Sequence, residues 1–274
     1  MVQLEITRIE PAGSKFRFGL GELWTHRELL YFLTWRDVKI RYKQTLIGVT
    51  WAVLQPILTT AIFTVIFSTF ARFDTRDVPY PLFALSGLMI WLFVHSSVTQ
   101  ASNSFISNTN LVTKVYFPRL IVPFASTFAS VFDFLIGLPL LILLMVYFGA
   151  GVSWQIVFAP VFILLAIVQT MAFGTLFSAL NVRFRDVKFT LPFLLQVWMI
   201  ASPVFYPTTL LSENWRYIFA LNPLVGIIDG FRSSLFGTPF EWKVIAISAA
   251  SVVVIAAASI VVFRKMEDEF ADRI

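Results

Sequence analysis

The chain contains no cysteine, which excludes disulfides, thiolate nucleophiles and cysteine metal sites. It has only two histidines, His26 and His95, and neither fits an H-E-x-x-H metal pattern. His95, within WLFVHSSVTQ, reads as a hydrogen-bonded interhelical residue. None of the 12 glycines is followed by lysine, so the chain has no phosphate-cradling G-x-x-x-x-G-K-[ST] loop of its own. No serine sits in a G-x-S-x-G elbow. Charge is scarce as well. Charged residues make up 14% of the 274, where soluble domains carry about 25%.

What fills the space is apolar: 58% of the residues are hydrophobic, with 30 Phe and 8 Trp. A globular core of this size needs polar cover that the chain does not have, so its solvent is a bilayer. A membrane helix takes about 20 mostly apolar residues. Six segments qualify, at roughly 47–70, 81–101, 120–148, 155–180, 189–206 and 244–263. The first is interrupted only by Gln55 and Pro56, and proline is tolerated where neighbouring helices satisfy the freed carbonyl. Pro192, Pro203 and Pro207 break up the fifth. The predicted fold is therefore an all-α polytopic membrane protein. Residues 1–46 form an N-terminal region, 47–266 the membrane domain and 267–274 a tail. The polar start MVQLEITRIEPAGSKFRFG lacks the apolar core of a signal peptide, so no cleavage is expected.

An even number of spans puts both termini on one side. Of the 21 Lys and Arg, only Arg72, Arg76, Arg216, Arg232 and Lys243 then fall on the opposite side. The positive-inside rule places both termini, and the loop NLVTKVYFPR at 110–119, in the cytoplasm. The net charge of +5 is thus an orientation signal, and no nucleic-acid partner is expected.

Two stretches are unsuited to crossing. Residues 22–45 are too charged, but at 100° per residue Trp24, Tyr31, Trp35, Val38 and Tyr42 form one stripe. Thr25, Arg36, Lys39 and Lys43 form a basic strip beside it, with Phe32 intruding. An aromatic ridge beside a basic strip predicts a helix in the headgroup layer. The apolar pieces 209–221 and 224–236, split by Asn222-Pro223, are too short to cross alone and read as interfacial or re-entrant.

Asp133, in FASVFDFLIGLPL, is the one clear intramembrane charge. An acid at that depth is a functional candidate, and a proton relay is one reading. A relay needs partners, and His95 is the only other ionisable residue within a span, so an interhelical hydrogen bond is the simpler expectation. The second inner loop, NVRFRDVKF, gathers Arg183, Arg185, Asp186 and Lys188. Both inner loops are compact, with cations beside aromatics, and look like docking surfaces.

Four stretches in order then resemble a known family. They are LTWRDVKIRYKQTLIGVTWAVLQP, NLVTKVYFPRLIVP, LNVRFRDVKFTLPFLLQVWMIASPVFYP and LNPLVGIIDGFRSSLFG. Together they resemble the membrane subunit of type 2 ABC exporters, and among these the bacterial permeases for O-antigen, capsule or teichoic acid. The resemblance implies an inner-membrane homodimer bound to two copies of a separate ATPase, which would hold ATP and Mg; no cofactor is expected in this chain. It implies a coupling helix from Ser104 to Val115, including Asn110, Leu111 and Lys114, with Tyr116-Phe117-Pro118-Arg119 as its rigid joint. It implies gate helices around 209–236 and a lipid-linked polysaccharide substrate. Trp91, Phe93, Trp198, Phe205 and Tyr206 are candidate sugar-stacking aromatics. The alternatives are a type 2 exporter of teichoic acid, lipid or drug, and, from another class, an ion-coupled carrier or membrane enzyme using Asp133. No internal repeat supports the carrier.

Overall fold

The computed structural model describes residues 20–43, 49–67, 75, 78–151, 153–267 and 270. The polar start, the ends of the first expected span, Arg72, Arg76 and the last residues of the tail lie outside these. Every described element is helical. Among the described residues four helices are long and apolar enough to cross a membrane: α4 (Tyr80–Ser107), α6 (Ile121–Tyr147), α7 (Ala159–Arg183, entered through a 3-10 turn from Trp154) and α11 (Trp242–Glu267). At 1.5 Å per residue each exceeds the roughly 30 Å of hydrocarbon.

Shorter elements fill the gaps. These are α1 (Leu20–Thr25), α2 (Arg27–Lys43), α3 (Val49–Ile66), α5 (Thr109–Lys114), α8 (Val187–Ile200), α9 (Glu213–Phe219) and α10 (Pro223–Phe236). The 14 residues of α8 rise only about 21 Å. What was expected to be the rest of a fifth span is a turn, because Pro203 and Pro207 cannot continue the hydrogen-bond ladder.

The axis of the bundle is α4. Leu82, Leu85, Ile90, Val94, Val98 and Phe105 along it are buried, and it packs chiefly on α6 and α7. By contrast α6, α7 and α11 turn apolar residues outward, such as Val146, Leu164 and Val254. Apolar residues on an outer face suit lipid, not water. The piece at 224–236, expected to be interfacial or re-entrant, is α10, which packs on α11, α7 and α4 with most of its residues buried. Asn222 caps it by accepting from the Leu224 amide at 3.2 Å, and Gly237 ends it at φ 71°, a conformation that favours glycine.

The aromatic-basic segment forms α1 and α2. Of the expected stripe, Trp24 on α1 and Tyr31 and Trp35 on α2 are exposed, while Val38, with Leu33, is buried. The packed side of α2 follows α6: Asp37 accepts from the Ser126 hydroxyl at 3.4 Å, and Arg41 pairs with Asp133. Ser126 and Asp133 are two turns apart, about 10 Å along α6, so α2 climbs α6 with Tyr31, Phe32 and Trp35 facing out and Tyr42 turned in towards Asp133.

Candidate functional site

At one end of the bundle α4 passes into α6 through the segment containing NLVTKVYFPR. The helix does not run from Ser104 to Val115 in one piece. Ser104 is buried inside α4, donating to the Ala101 carbonyl at 2.7 Å. Asn108, at φ −119°, leaves helical geometry and separates α4 from α5. Its side chain donates back to the Ser104 carbonyl at 2.8 Å, which satisfies an end of α4. Val112 and Phe117 are buried, and they hold α5 and its exit by their apolar side chains. Leu111 packs partly against the same cluster. Asn110, Lys114 and Val115 are exposed, and Tyr116 is 99% exposed. Arg119 closes the loop from behind: it donates to the Glu267 carbonyl, and its guanidinium stands 5.8 Å over the Phe270 ring.

The second loop comes to the same end. Asn181, near the end of α7, donates to the Ser102 carbonyl of α4 at 2.8 Å, and Val182 shares a core cluster with Val112. Beyond it Arg183, Arg185, Asp186 and Lys188 are all exposed, with Arg183 5.4 Å over Phe184. Residues far apart in sequence thus form one polar end with Tyr116 on it.

Asp133 is not isolated. One carboxylate oxygen accepts from Arg41 and the other from the Tyr42 hydroxyl, both from α2, and Arg41 also donates to Gln100 of α4. The partner is thus a cation that the sequence reading assigned to a surface helix. On the same helix Arg36 bonds Asp37 at 2.7 Å, and Lys39 lies 5.6 Å over Trp35. Arg41, Tyr42 and Asp133 also border a cavity of about 550 Å³, shared with Gln55, Met89 and His95.

The aromatic candidates fall into two groups. Trp91, Phe93 and Phe205 are buried in the core, with Phe205 stacked on Phe63 at 3.5 Å. Trp198 and Tyr206 are half-buried at the end of α8. The Trp198 indole donates to Asn222 at 2.9 Å and meets Trp91 edge-on at 6.2 Å. The Tyr206 hydroxyl donates to the Ile200 carbonyl at 2.8 Å.

Sequence reading missed Arg232, which was counted only as a charge between spans. It is 4% exposed. Its guanidinium donates to the carbonyls of Pro203 and Val204, both at 2.6 Å, and of Phe83 at 3.0 Å. It stands 3.6 Å over the Phe83 ring, with the Asp229 carboxylate 3.8 Å away. The signal that was available is the i,i+3 spacing of Asp229 and Arg232 within an otherwise apolar segment. Nearby, on α9, the Glu213 carboxylate accepts from Tyr217 at 2.7 Å and pushes its hydroxyl up, while Arg216 pairs with Glu241 at 3.0 Å.

The profile of the ABC-2 type transporter family matches residues 28–236, which takes in α2 from its second residue, both loops of the polar end and all of α10. This chain belongs to the ABC-2 type transporter family. Across 92% of its length it is 31% identical to an O-antigen export system permease protein of Myxococcus xanthus, covering 98% of that protein. A Klebsiella pneumoniae protein of the same name is 26% identical over 94% of this chain and 98% of its own. A polysialic acid transport protein of Escherichia coli is 27% identical over 73% of this chain and 78% of its own. As an ABC-2 protein with four long apolar helices, the chain is an integral membrane protein.

Proposed function

We propose that this chain is the permease subunit of an ATP-driven exporter that moves a lipid-linked polysaccharide of the O-antigen kind across the inner membrane. Its similarity over almost its whole length to O-antigen export permeases carries the reading. The polysialic acid transport relative points to the same chemical class, an extended glycan. In this reading the subunit forms a homodimer with two copies of a separate ATPase. That partner supplies the phosphate-binding loop this chain lacks, and binds ATP and Mg. Six crossings place both termini in the cytoplasm, with α3 and α8 as the two short ones and α9 and α10 as gate elements. The polar end with α5 then faces the ATPase. Its exposed Tyr116 and surrounding cations are the docking surface, and Val112 and Phe117 bind that surface rigidly to α4 and α6.

The carrier reading centred on Asp133 loses ground, because both carboxylate oxygens are engaged by Arg41 and Tyr42. The direct test is to purify the chain with its ATPase, reconstitute it in lipid and supply lipid-linked glycan. ATP-dependent glycan movement is expected. Movement of teichoic acid, a phospholipid or a drug alone would redirect the substrate, and movement driven by a proton gradient without ATP would overturn the proposal.

A further inference from the structure

The turn after α8 poses a problem of hydrogen-bond accounting. A helix that stops leaves carbonyls without partners, and non-helical backbone at membrane depth survives only where protein satisfies it. Here every carbonyl from Ile200 to Phe205 has a donor. Tyr206 serves Ile200, Asn222 serves Ala201 at 2.8 Å, and the Val204 amide serves Ser202 at 2.7 Å. Arg232 serves both Pro203 and Val204, and the Tyr80 hydroxyl serves Phe205 at 2.9 Å. The Val204 amide and Tyr206 belong to the turn itself; the other donors come from the start of α4, the Asn222 cap of α10, and α10 itself. Arg232 is the one that reaches both the turn and α4, since it also bonds the Phe83 carbonyl. Its seat is shaped for it. A Cβ on Gly87 would lie 2.6 Å from the Val204 carbonyl and closer still to the guanidinium. Thr208 extends the tie by donating to Asp229 at 2.6 Å.

We propose that Arg232 is a positioning residue for export: it fastens the end of α8 to α4 and α10, so that Trp198 and the Ser202–Thr208 turn move with those helices as one body. This rests on the permease reading. The fork geometry of a guanidinium is needed, because two carbonyls of the turn and one of α4 must be met at once, and an ammonium lacks that fixed planar set of donors. Breaking the tie leaves buried carbonyls unserved and lets the turn open.

The natural absence of cysteine makes this measurable. Val204→Cys reports the turn and Ala179→Cys, at the polar end, reports the rest of the bundle; both side chains are 0% exposed. The complex with its ATPase, in lipid, is treated with a water-soluble maleimide in the parent, Arg232→Lys and Arg232→Met backgrounds. Both reporters are expected to stay silent in the parent. In Arg232→Met, Val204→Cys should label about tenfold faster, as expected for losing buried hydrogen bonds, with Arg232→Lys between. Ala179→Cys should stay silent throughout. Per assembled complex, export should fall several-fold more than ATP hydrolysis. Silence at Val204→Cys in Arg232→Met overturns the proposal. So does labelling of both reporters, which would make Arg232 a support for the whole bundle, and so does a parallel loss of hydrolysis and export. If the parent itself exports no glycan, the permease reading fails, while the labelling still decides whether the tie exists.

Discussion

At the scale of single residues, the decisive charges are those that have left water. Asp133 and Arg41 are each about one-fifth exposed and bonded to one another, with Tyr42 and Gln100 completing the set. Asp133→Asn keeps an acceptor but turns an amide N–H towards a donor and leaves Arg41 without its counter-charge. We expect a loss of about 1–3 kcal/mol, the usual cost of spoiling a hydrogen bond to a charged group, read as an earlier thermal transition of the purified protein. Arg41→Gln in the same chain should recover part of it, because the stranded charge goes too. Export should persist in Asp133→Asn, since its role is to hold α2 on α6. Abolished export at normal protein levels would instead give the carboxylate a charge-dependent part in transport. The acid was visible in the sequence; its partners were not. Periodicity assigned Arg41 to neither the aromatic nor the basic stripe, and nothing in a linear reading indicates that α2 climbs α6.

At the scale of elements, apolar runs located the long helices well, and their ends less so. The second span was expected to close at residue 101, but α4 continues to Ser107. Its last turns are polar in composition yet satisfied inside the fold: Gln100 donates to Ser96, Asn103 to the Thr99 carbonyl, and Asn181 to Ser102. Hydropathy counts such residues as solvent-seeking, whereas here they bond neighbouring turns and helices. Asn222-Pro223, by contrast, marked the start of α10 directly, because capping is local chemistry. Its depth was hidden, since burial depends on which helices surround it. For α5 the element-scale prediction follows from its anchoring. Val112→Gly removes a buried side chain and weakens the helix interior by about 1 kcal/mol. The subunit should still insert, but export should drop relative to ATP hydrolysis in the reconstituted complex. Tyr116→Ala touches nothing within the subunit, so it should leave thermal stability unchanged and reduce co-purification of the ATPase. Lys114→Arg serves as the matched control and should behave as the parent. Normal co-purification by Tyr116→Ala would remove the docking role of that ring.

At the scale of the whole molecule, the polar end with both short loops sets the orientation. If that end is cytoplasmic, tags at Met1 and Ile274 should resist protease in intact cells and a tag near Asp74 should be cut. Cleavage at Ile274 would reverse the topology.

The Arg232 contact lies within the first two turns of α4, and α5 follows its last turn. Between Gly87 and Ser107 the helix advances about 30 Å and is unbroken. An α-helix also rotates about 100° with each residue. One added residue in that stretch would therefore swing α5 by about 100° around the axis relative to the Arg232 seat, whereas seven would return it to within about 20°. The two ends are locked in phase. Relatives of this chain should accordingly vary in length at the connections flanking residues 75–79 and 148–153, while the stretch from Gly87 to Ser107 keeps its count.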